Sequence, residues 1–282
     1  MTIGARSEVR ELIKTDNRPT TPELTSASLR IRASREADRI TAFIGRTVDE
    51  ARADGVVLGL SGGIDSAVVG ALCVNALGKD RVLVLLMPSS HTPRKDVADA
   101  QLLADAWGVR REEIPISGIV DDFTGSTKAE GTRVARANVQ ARVRMVLLYY
   151  RANTLGYLVA GTGDRSEELL GYFTKWGDGG VDFLPIAHLY KTQVKELGTF
   201  LGLPNDVVVK PASPQLWPGQ KATDEIPANY DRLDVALHYL YDLKVKPSEA
   251  AAKAQVSLGV VKRVIEMHER TEHKRKLPPS LV

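Results

Sequence analysis

Apolar residues fall along this chain in two alternating rhythms. Short runs at 56–60, 82–87, 114–116, 157–160 and 183–186 are rich in Val, Leu and Ile and are bounded by Gly, Pro or Ser. Continuous apolar runs of this length belong to strands buried on both faces. Between them lie longer stretches, 67–77, 93–107 and 132–154, whose apolar positions repeat with a helical period. Pro93 stands early in the second of these, where a missing N–H costs nothing. Strand–helix alternation predicts an α/β fold, a doubly wound parallel sheet flanked by helices. A leading helix is expected over 28–53, and the polar residues 1–27 are expected to form a loose arm. Residues 205–228 are proline-rich and aperiodic, which predicts a functional or mobile loop inside a single domain running from 28 to 282. The helical pattern returns from 229 to 282 and ends in a basic tail, His273-Lys274-Arg275-Lys276.

Composition narrows the function classes. With 282 residues, 43% hydrophobic and 26% charged, the chain suits a soluble protein with a full-sized core. A net charge of +3 is too small to imply bulk nucleic-acid binding. Residues 1–30 carry no apolar run of signal-peptide length and no stretch approaches 18 apolar residues, so no membrane association and a cytoplasmic location are expected. The one cysteine, Cys73, sits in the apolar stretch 67–77 and reads as a core residue, with no disulfide or thiolate metal cluster.

The first candidate site is the string SGGIDS at 61–66, which follows the run 56–60 and precedes a helix. Adjacent glycines let the backbone approach an anion and turn N–H groups toward it. The helix N-terminus adds a partial positive charge. Ser61 and Ser66 can donate hydroxyls to phosphate oxygens. Asp65 would repel a phosphate directly, so a carboxylate there suggests an intervening Mg²⁺. The pattern is not a Walker loop, because no GxxxxGK[ST] is present.

A second glycine turn, GTGDRSEE at 161–168, follows the run 157–160. In open parallel sheets ligands bind beyond the carboxyl ends of the strands. Asp65 and Glu167 could then share one Mg²⁺ between phosphates. Asp164, Glu167 and Glu168 read equally well as a helix N-terminus. Further on, GYFTKWGDGGVD at 171–182 sets three aromatics beside Lys175, Asp178 and Asp182. Such a segment can form a glycine-turned hairpin, and it also suits a planar charged ring. The stretch 132–151 carries five arginines and no acidic residue; a helix of one charge sign hints at an anionic partner.

SGGIDS, NVQARVRM, GTGDRSEE, GYFTKWGDGGVD, LYK and TEHKR occur in an order and spacing that resemble the ammonia-dependent NAD synthetases over roughly residues 30–280. These belong to the ATP pyrophosphatases, with an adenine-nucleotide alpha hydrolase-like fold. SGGxDS alone is shared with GMP synthetase and tRNA-thiolating enzymes; FTKWGDGG and TEHKR are more diagnostic. The resemblance implies ATP-dependent amidation of deamido-NAD by ammonia through an acyl-adenylate, giving NAD, AMP and pyrophosphate. It implies an ATP site at Gly59, Leu60, Ser61, Gly62, Gly63, Ile64, Asp65 and Ser66, joined by Thr162, Lys191 and Ser213. It implies Mg²⁺ at Asp65 and Glu167, and deamido-NAD at Arg142, Lys175, Asp182, His273 and Lys274. Asp65, Asp178 and Lys191 are the expected catalytic residues, Asp178 beside the ammonia. A homodimer with deamido-NAD at the subunit interface is implied as well. Family members often carry Asp where Gly163 stands and His where Asp164 stands.

Two features shape the alternatives. The segment 247–269 has a helix-turn-helix pattern, which would suit a DNA-binding module, but such helix pairs are common packing units. A nucleotide-sensing module would not need both Asp65 and Glu167. Only 60 residues precede the phosphate loop and Cys73 lies after it, so no glutamine amidase is expected and free ammonia is the expected nitrogen source. The nearest alternative enzyme is another amide- or thio-forming ATP pyrophosphatase, such as a GMP synthetase subunit.

Overall fold

The computed structural model describes residues 29–127 and 130–281; the expected arm at 1–27 lies outside the described residues. Four parallel strands form one sheet: β1 (Gly55–Gly59), β2 (Val82–Leu86), β3 (Arg110–Glu113) and β4 (Tyr157–Val159), in the spatial order β3-β2-β1-β4. The chain builds outward from β1 through β2 to β3, then returns to place β4 on the other side of β1. The order therefore reverses between β1 and β4, which is where open α/β sheets bind ligands.

Side-chain alternation assigns the two faces. Val56, Leu58, Val82, Val84 and Leu86 point into a core shared with α1 (Ala33–Glu50), α2 (Ile64–Leu77), α3 (Arg94–Trp107) and α7 (Lys191–Phe200). Val57, Leu83 and Leu85 point into a second core under α4 (Ser117–Gly125) and α5 (Arg133–Leu155). Burial on both sides explains the unbroken Val/Leu runs of β1 and β2. The helix α2 is apolar nearly all round because the sheet, α1 and α7 cover it. The arginine-rich α5 is capped at Thr132, whose side chain accepts from Ala135 N–H, and ends at left-handed Gly156.

Two expected strands differ. The third strand is Arg110–Glu113, not 114–116; its RREE sequence lacks an apolar signal because it lies at the sheet edge, where charged residues discourage further pairing. Ile114 N–H still reaches the Leu86 carbonyl, and past Pro115, whose missing N–H faces away from β2, Ile116 N–H reaches the Pro88 carbonyl. The run 183–186 is reduced to one parallel bridge, Ala160 with Phe183, since Pro185 has no N–H to give.

Beyond the sheet, α6 (Arg165–Leu170) follows the second glycine turn, and α8 (Asn205–Val208) opens the proline-rich segment. Then come α9 (Tyr230–Leu237), α10 (Pro247–Ala254) and α11 (Leu258–Arg270). Leu169, Leu170, Tyr190, Ile226, Leu233, Leu237 and Val264 form a third core that fastens this helical part to α6 and to the start of α7. The pair α10 and α11 does form a helix-turn-helix; Ala250 and Ala254 pack on Val235, Ala236 and Tyr239. No described helix is long and apolar enough to cross a membrane.

Candidate active site

Parallel neighbours β1 and β4 deliver their following loops to the same edge of the sheet. From β1 comes the SGGIDS loop. Gly62 adopts φ +76°, and a side chain there would meet the Asp96 carbonyl at 2.2 Å, so this turn admits only glycine. Ser61 and Ser66 hydroxyls lie 3.1 Å apart across the loop. From β4 comes the GTGD turn. Asp164 caps α6, its side chain accepting from Glu167 N–H at 2.8 Å, while Glu167 reaches back to Asp164 N–H. This capping box points both carboxylates toward the SGGIDS loop, where Lys191 meets them and Asp65.

Lys191, the first residue of α7, completes the site. Its Nζ lies 2.6 Å from Asp65 Oδ2, 2.8 Å from Asp164 Oδ2 and 3.0 Å from Glu167 Oε1. The Lys191 and Asp164 side chains are buried, with 1% and 0% exposed, whereas Asp65 and Glu167 keep 22% and 24% open. The cluster is thus closed behind and open in front. Burial alone would lower the lysine pKa, but Asp164, Asp65 and Glu167 outweigh it and hold the amine well above its ordinary value. Desolvation raises the Asp164 and Glu167 carboxyls despite Lys191, and their acidic neighbours add to the rise.

Three carboxylates against one ammonium leave two negative charges when all are ionised. Oxygens from Asp65, Asp164 and Glu167 all lie within 4.8 Å of one another. Each such pair repels by about 3–4 kcal/mol at an effective dielectric of about 20. Asp65 Oδ1 is buried and has no hydrogen-bond partner among the described residues. A hard, all-oxygen donor set with surplus charge and a free oxygen fits a divalent cation such as Mg²⁺.

Behind the cluster stands Asp234 of α9, fully buried. It accepts from the Ser166 hydroxyl at 2.7 Å and from Thr192 N–H at 2.8 Å, and Ser166 Oγ accepts from Lys191 N–H at 3.0 Å. One carboxylate therefore registers the start of α6 against the start of α7. Sequence reading gave Asp164 only as an acid at a helix N-terminus, which it is, without placing it beside Lys191, and it missed Asp234. The Asp-x-x-Glu capping pattern marks Asp164 as a cap but not as a partner of Lys191; Asp234, 42 residues from Thr192, gave no local signal.

A second group forms around the aromatic segment. Arg142 donates to the Lys175 carbonyl at 3.3 Å, and the Lys175 ammonium bonds the His273 carbonyl. Lys274 donates to the Gly171 and Phe173 carbonyls at 2.7 and 2.6 Å and stands over the Phe173 ring. Gly171 permits this approach, since a side chain there would strike Thr271 at 2.1 Å. Asp178 accepts from Thr174 N–H at 2.9 Å. Desolvation raises its carboxyl, although Thr174 N–H, Lys274 and Arg144 pull the other way. Burial pushes the Arg144 guanidinium down to about 10, against the attraction of Asp178.

The structure thus brings Asp65, Glu167 and Lys191 together, and Arg142, Lys175, Asp178, His273 and Lys274 together. It sets Asp182 apart: its oxygens accept from Tyr149 hydroxyl at 3.0 Å and Val159 N–H at 2.7 Å. Ser213 donates to the Gln220 carbonyl at 2.5 Å, inside its own loop.

Comparison with known proteins bears on this geometry. Residues 36–278 match the NAD synthase family. The chain is 50% identical over 245 residues to the NH(3)-dependent NAD(+) synthetase of Hyperthermus butylicus, covering 86% of this chain and 89% of that one. It is 46% identical over 243 residues to the protein of the same name from Archaeoglobus fulgidus, covering 86% and 94%. Among solved structures, the NMN synthetase of Francisella tularensis matches with a TM-score of 0.79 at 34% identity, over 89% of this chain and 99% of that one. The NH3-dependent NAD synthetase of Campylobacter jejuni matches with a TM-score of 0.76 at 30% identity, over 89% and 100%.

Proposed function

Since the chain belongs to the NAD synthase family, we propose that it amidates deamido-NAD with ammonia and ATP, using the Asp65–Glu167–Lys191 cluster to manage the phosphates and the Asp178–Lys274 group to hold the acceptor. The observation that carries this reading is the meeting of Asp65, Glu167 and Lys191 at the β1/β4 reversal.

A carboxylate is a poor acyl donor because oxide would have to leave. The nicotinate carboxylate oxygen attacks the α-phosphorus of ATP, the α–β phosphoanhydride bond breaks, and pyrophosphate departs from the acyl-adenylate. Ammonia nitrogen then attacks the acyl carbon, the carbon–oxygen bond to AMP breaks, the nitrogen releases one further proton to solvent, and the amide remains. Backbone N–H groups of residues 61–66 cradle phosphate oxygens, and Lys191 offers a positive charge to the leaving pyrophosphate. Asp65 and Glu167, with Asp164 beside them, would hold Mg²⁺, which when bound neutralises charge on the phosphates. Asp178, its carboxyl raised by desolvation, takes the proton that ammonium must lose before nitrogen can attack. Arg142, Lys175 and Lys274 supply positive charge and donors for the dinucleotide phosphates, and His273 lies beside them; on the family resemblance Thr162 and Ser213 are assigned to ATP and Asp182 to the dinucleotide, Ser213 and Asp182 from outside the two groups described above. Segment 205–228 closes over the site within one domain, and the enzyme works as a cytoplasmic homodimer.

The similarity to an NMN synthetase gives the same chemistry on a mononucleotide a specific footing. The test is an assay with ATP, Mg²⁺ and ammonium against deamido-NAD, nicotinate mononucleotide and XMP. NAD, AMP and pyrophosphate are expected from the first. Preferred turnover of the mononucleotide or of XMP would reassign the acceptor.

A further inference from the structure

The ammonium of Lys210 reaches the backbone of the phosphate loop. Its Nζ donates to the Gly62 carbonyl at 2.7 Å, to Asp96 Oδ1 at 2.7 Å and to Asp99 Oδ2 at 2.6 Å. These three acceptors use all three donors of an ammonium. The Lys210 side chain is 16% exposed, and the two carboxylates are 7% and 11% exposed. Lys95 also contacts Asp99, at 3.2 Å, which offsets the second negative charge. A desolvated and fully bonded arrangement of this kind differs from a surface ion pair, whose worth is close to nothing.

Its consequence lies in the Gly62–Gly63 peptide. The carbonyl and the N–H of a trans peptide point in opposite directions, and no described peptide bond is cis. With the Gly62 carbonyl held by Lys210, the Gly63 N–H is turned the other way, toward Ser61 Oγ at 3.3 Å. That hydroxyl lies 3.1 Å from Ser66 Oγ, and these are the two side chains read as phosphate donors. A peptide between two glycines rotates more freely than any other, because neither residue has a Cβ to restrict it. Left alone, it could turn its carbonyl toward an incoming phosphate and repel it.

We propose that Lys210 is a positioning residue: it locks the Gly62–Gly63 peptide so that its N–H faces the nucleotide, and Asp96 and Asp99 hold the lysine there. The proposal rests on the reading of residues 61–66 as the ATP cradle. The same contacts tie the proline-rich segment to that cradle, since Gln215 also hydrogen-bonds Asp96.

The experiment measures ATP binding by calorimetry with Mg²⁺ present, and KM for ATP and deamido-NAD, in wild type, Lys210→Met, Lys210→Arg and Asp99→Asn. Wild-type protein that fails to bind ATP would overturn the reading of the cradle itself. Given wild-type binding, Lys210→Met is expected to weaken ATP about tenfold, the loss of one charge-assisted hydrogen bond, and to leave KM for deamido-NAD unchanged. Lys210→Arg should recover part of the loss, and Asp99→Asn should move the same parameter less. Unaltered ATP affinity in Lys210→Met overturns the positioning role. So does a parallel rise of both KM values, which would mark general loosening of the fold. Should Lys210→Met not fold, Asp99→Asn decides: unchanged ATP affinity in that variant overturns the proposal.

Discussion

The phosphate-loop cluster and the clamp around the aromatic segment solve the problem of holding charge in opposite ways. At the cluster, three carboxylates surround one buried lysine, with negative charge in surplus. At the clamp, the lysine ammoniums rest on neutral backbone carbonyls, with positive charge in surplus. Carbonyl dipoles orient a cation without cancelling it, so the clamp remains attractive to an anionic dinucleotide. The cluster instead attracts a cation and, through it, phosphate. The difference also lies in support. The cluster is fixed by a helix capping box and by buried Asp234, whereas the clamp depends on residues 271–275 gripping carbonyls of 168–173 from far along the chain.

Breaking the cluster should have the largest effect. Asp65→Asn or Glu167→Gln is expected to reduce ATP–pyrophosphate exchange by about a thousandfold or more, because on the proposed reading each removes charge that would hold the metal. Each should also leave the metal-free melting temperature unchanged or higher, since a repulsive charge is gone. Pyrophosphate release at the wild-type rate by either variant would end the metal assignment.

The clamp should respond differently. Lys274→Ala is expected to raise KM for deamido-NAD about tenfold and to leave KM for ATP unchanged. Equal shifts in both constants would erase the distinction between the two regions. The nitrogen source sharpens the clamp further. Activity with ammonium should rise with pH through the neutral-to-alkaline range as free ammonia grows, and glutamine should not replace it. Turnover of glutamine by the purified chain would contradict an ammonia site at Asp178.

The smallest effect concerns the cluster's support. Burial pushes the Asp234 carboxyl up to about 7, against hydrogen bonds from Ser166 and Thr192. The folded protein then keeps a proton that the unfolded chain releases near the ordinary Asp range of about 4. Bound protons in excess in the folded state mean that this contribution falls as pH rises between about 4 and 7. Wild type should therefore lose melting temperature from pH 5 to pH 8, on the order of 5 °C more than Asp234→Asn, which cannot ionise. Identical pH slopes for the two proteins would show that Asp234 does not titrate in this range.

Both regions were legible in the sequence to different depths. The apolar runs of β1, β2 and β4 fell within a residue of the strands, because strands buried on both faces must be continuously apolar. The edge strand β3 escaped, since RREE faces solvent and carries no such constraint. SGGIDS and GTGDRSEE were readable because a phosphate turn needs its glycines, hydroxyls and carboxylate at fixed local offsets. The roles of Asp164 and Lys191 were only half readable. Lys191 could have been an ordinary surface lysine, and nothing near it in sequence said that three acids would enclose it.

What the sequence determined by itself was the alternation of strand and helix, the two glycine turns, and the residue types able to do phosphate chemistry. Each is set by local backbone geometry or by one element's own burial. Only the tertiary structure decided which of those residues meet. Asp65 and Lys191 are 126 residues apart and their charged atoms lie 2.6 Å from each other. Lys210 reaches Gly62 across 148 residues. Such pairings follow from strand order and from which helix packs on which, and charge compensation in a buried space is a property of the assembled neighbourhood, carried by no single segment.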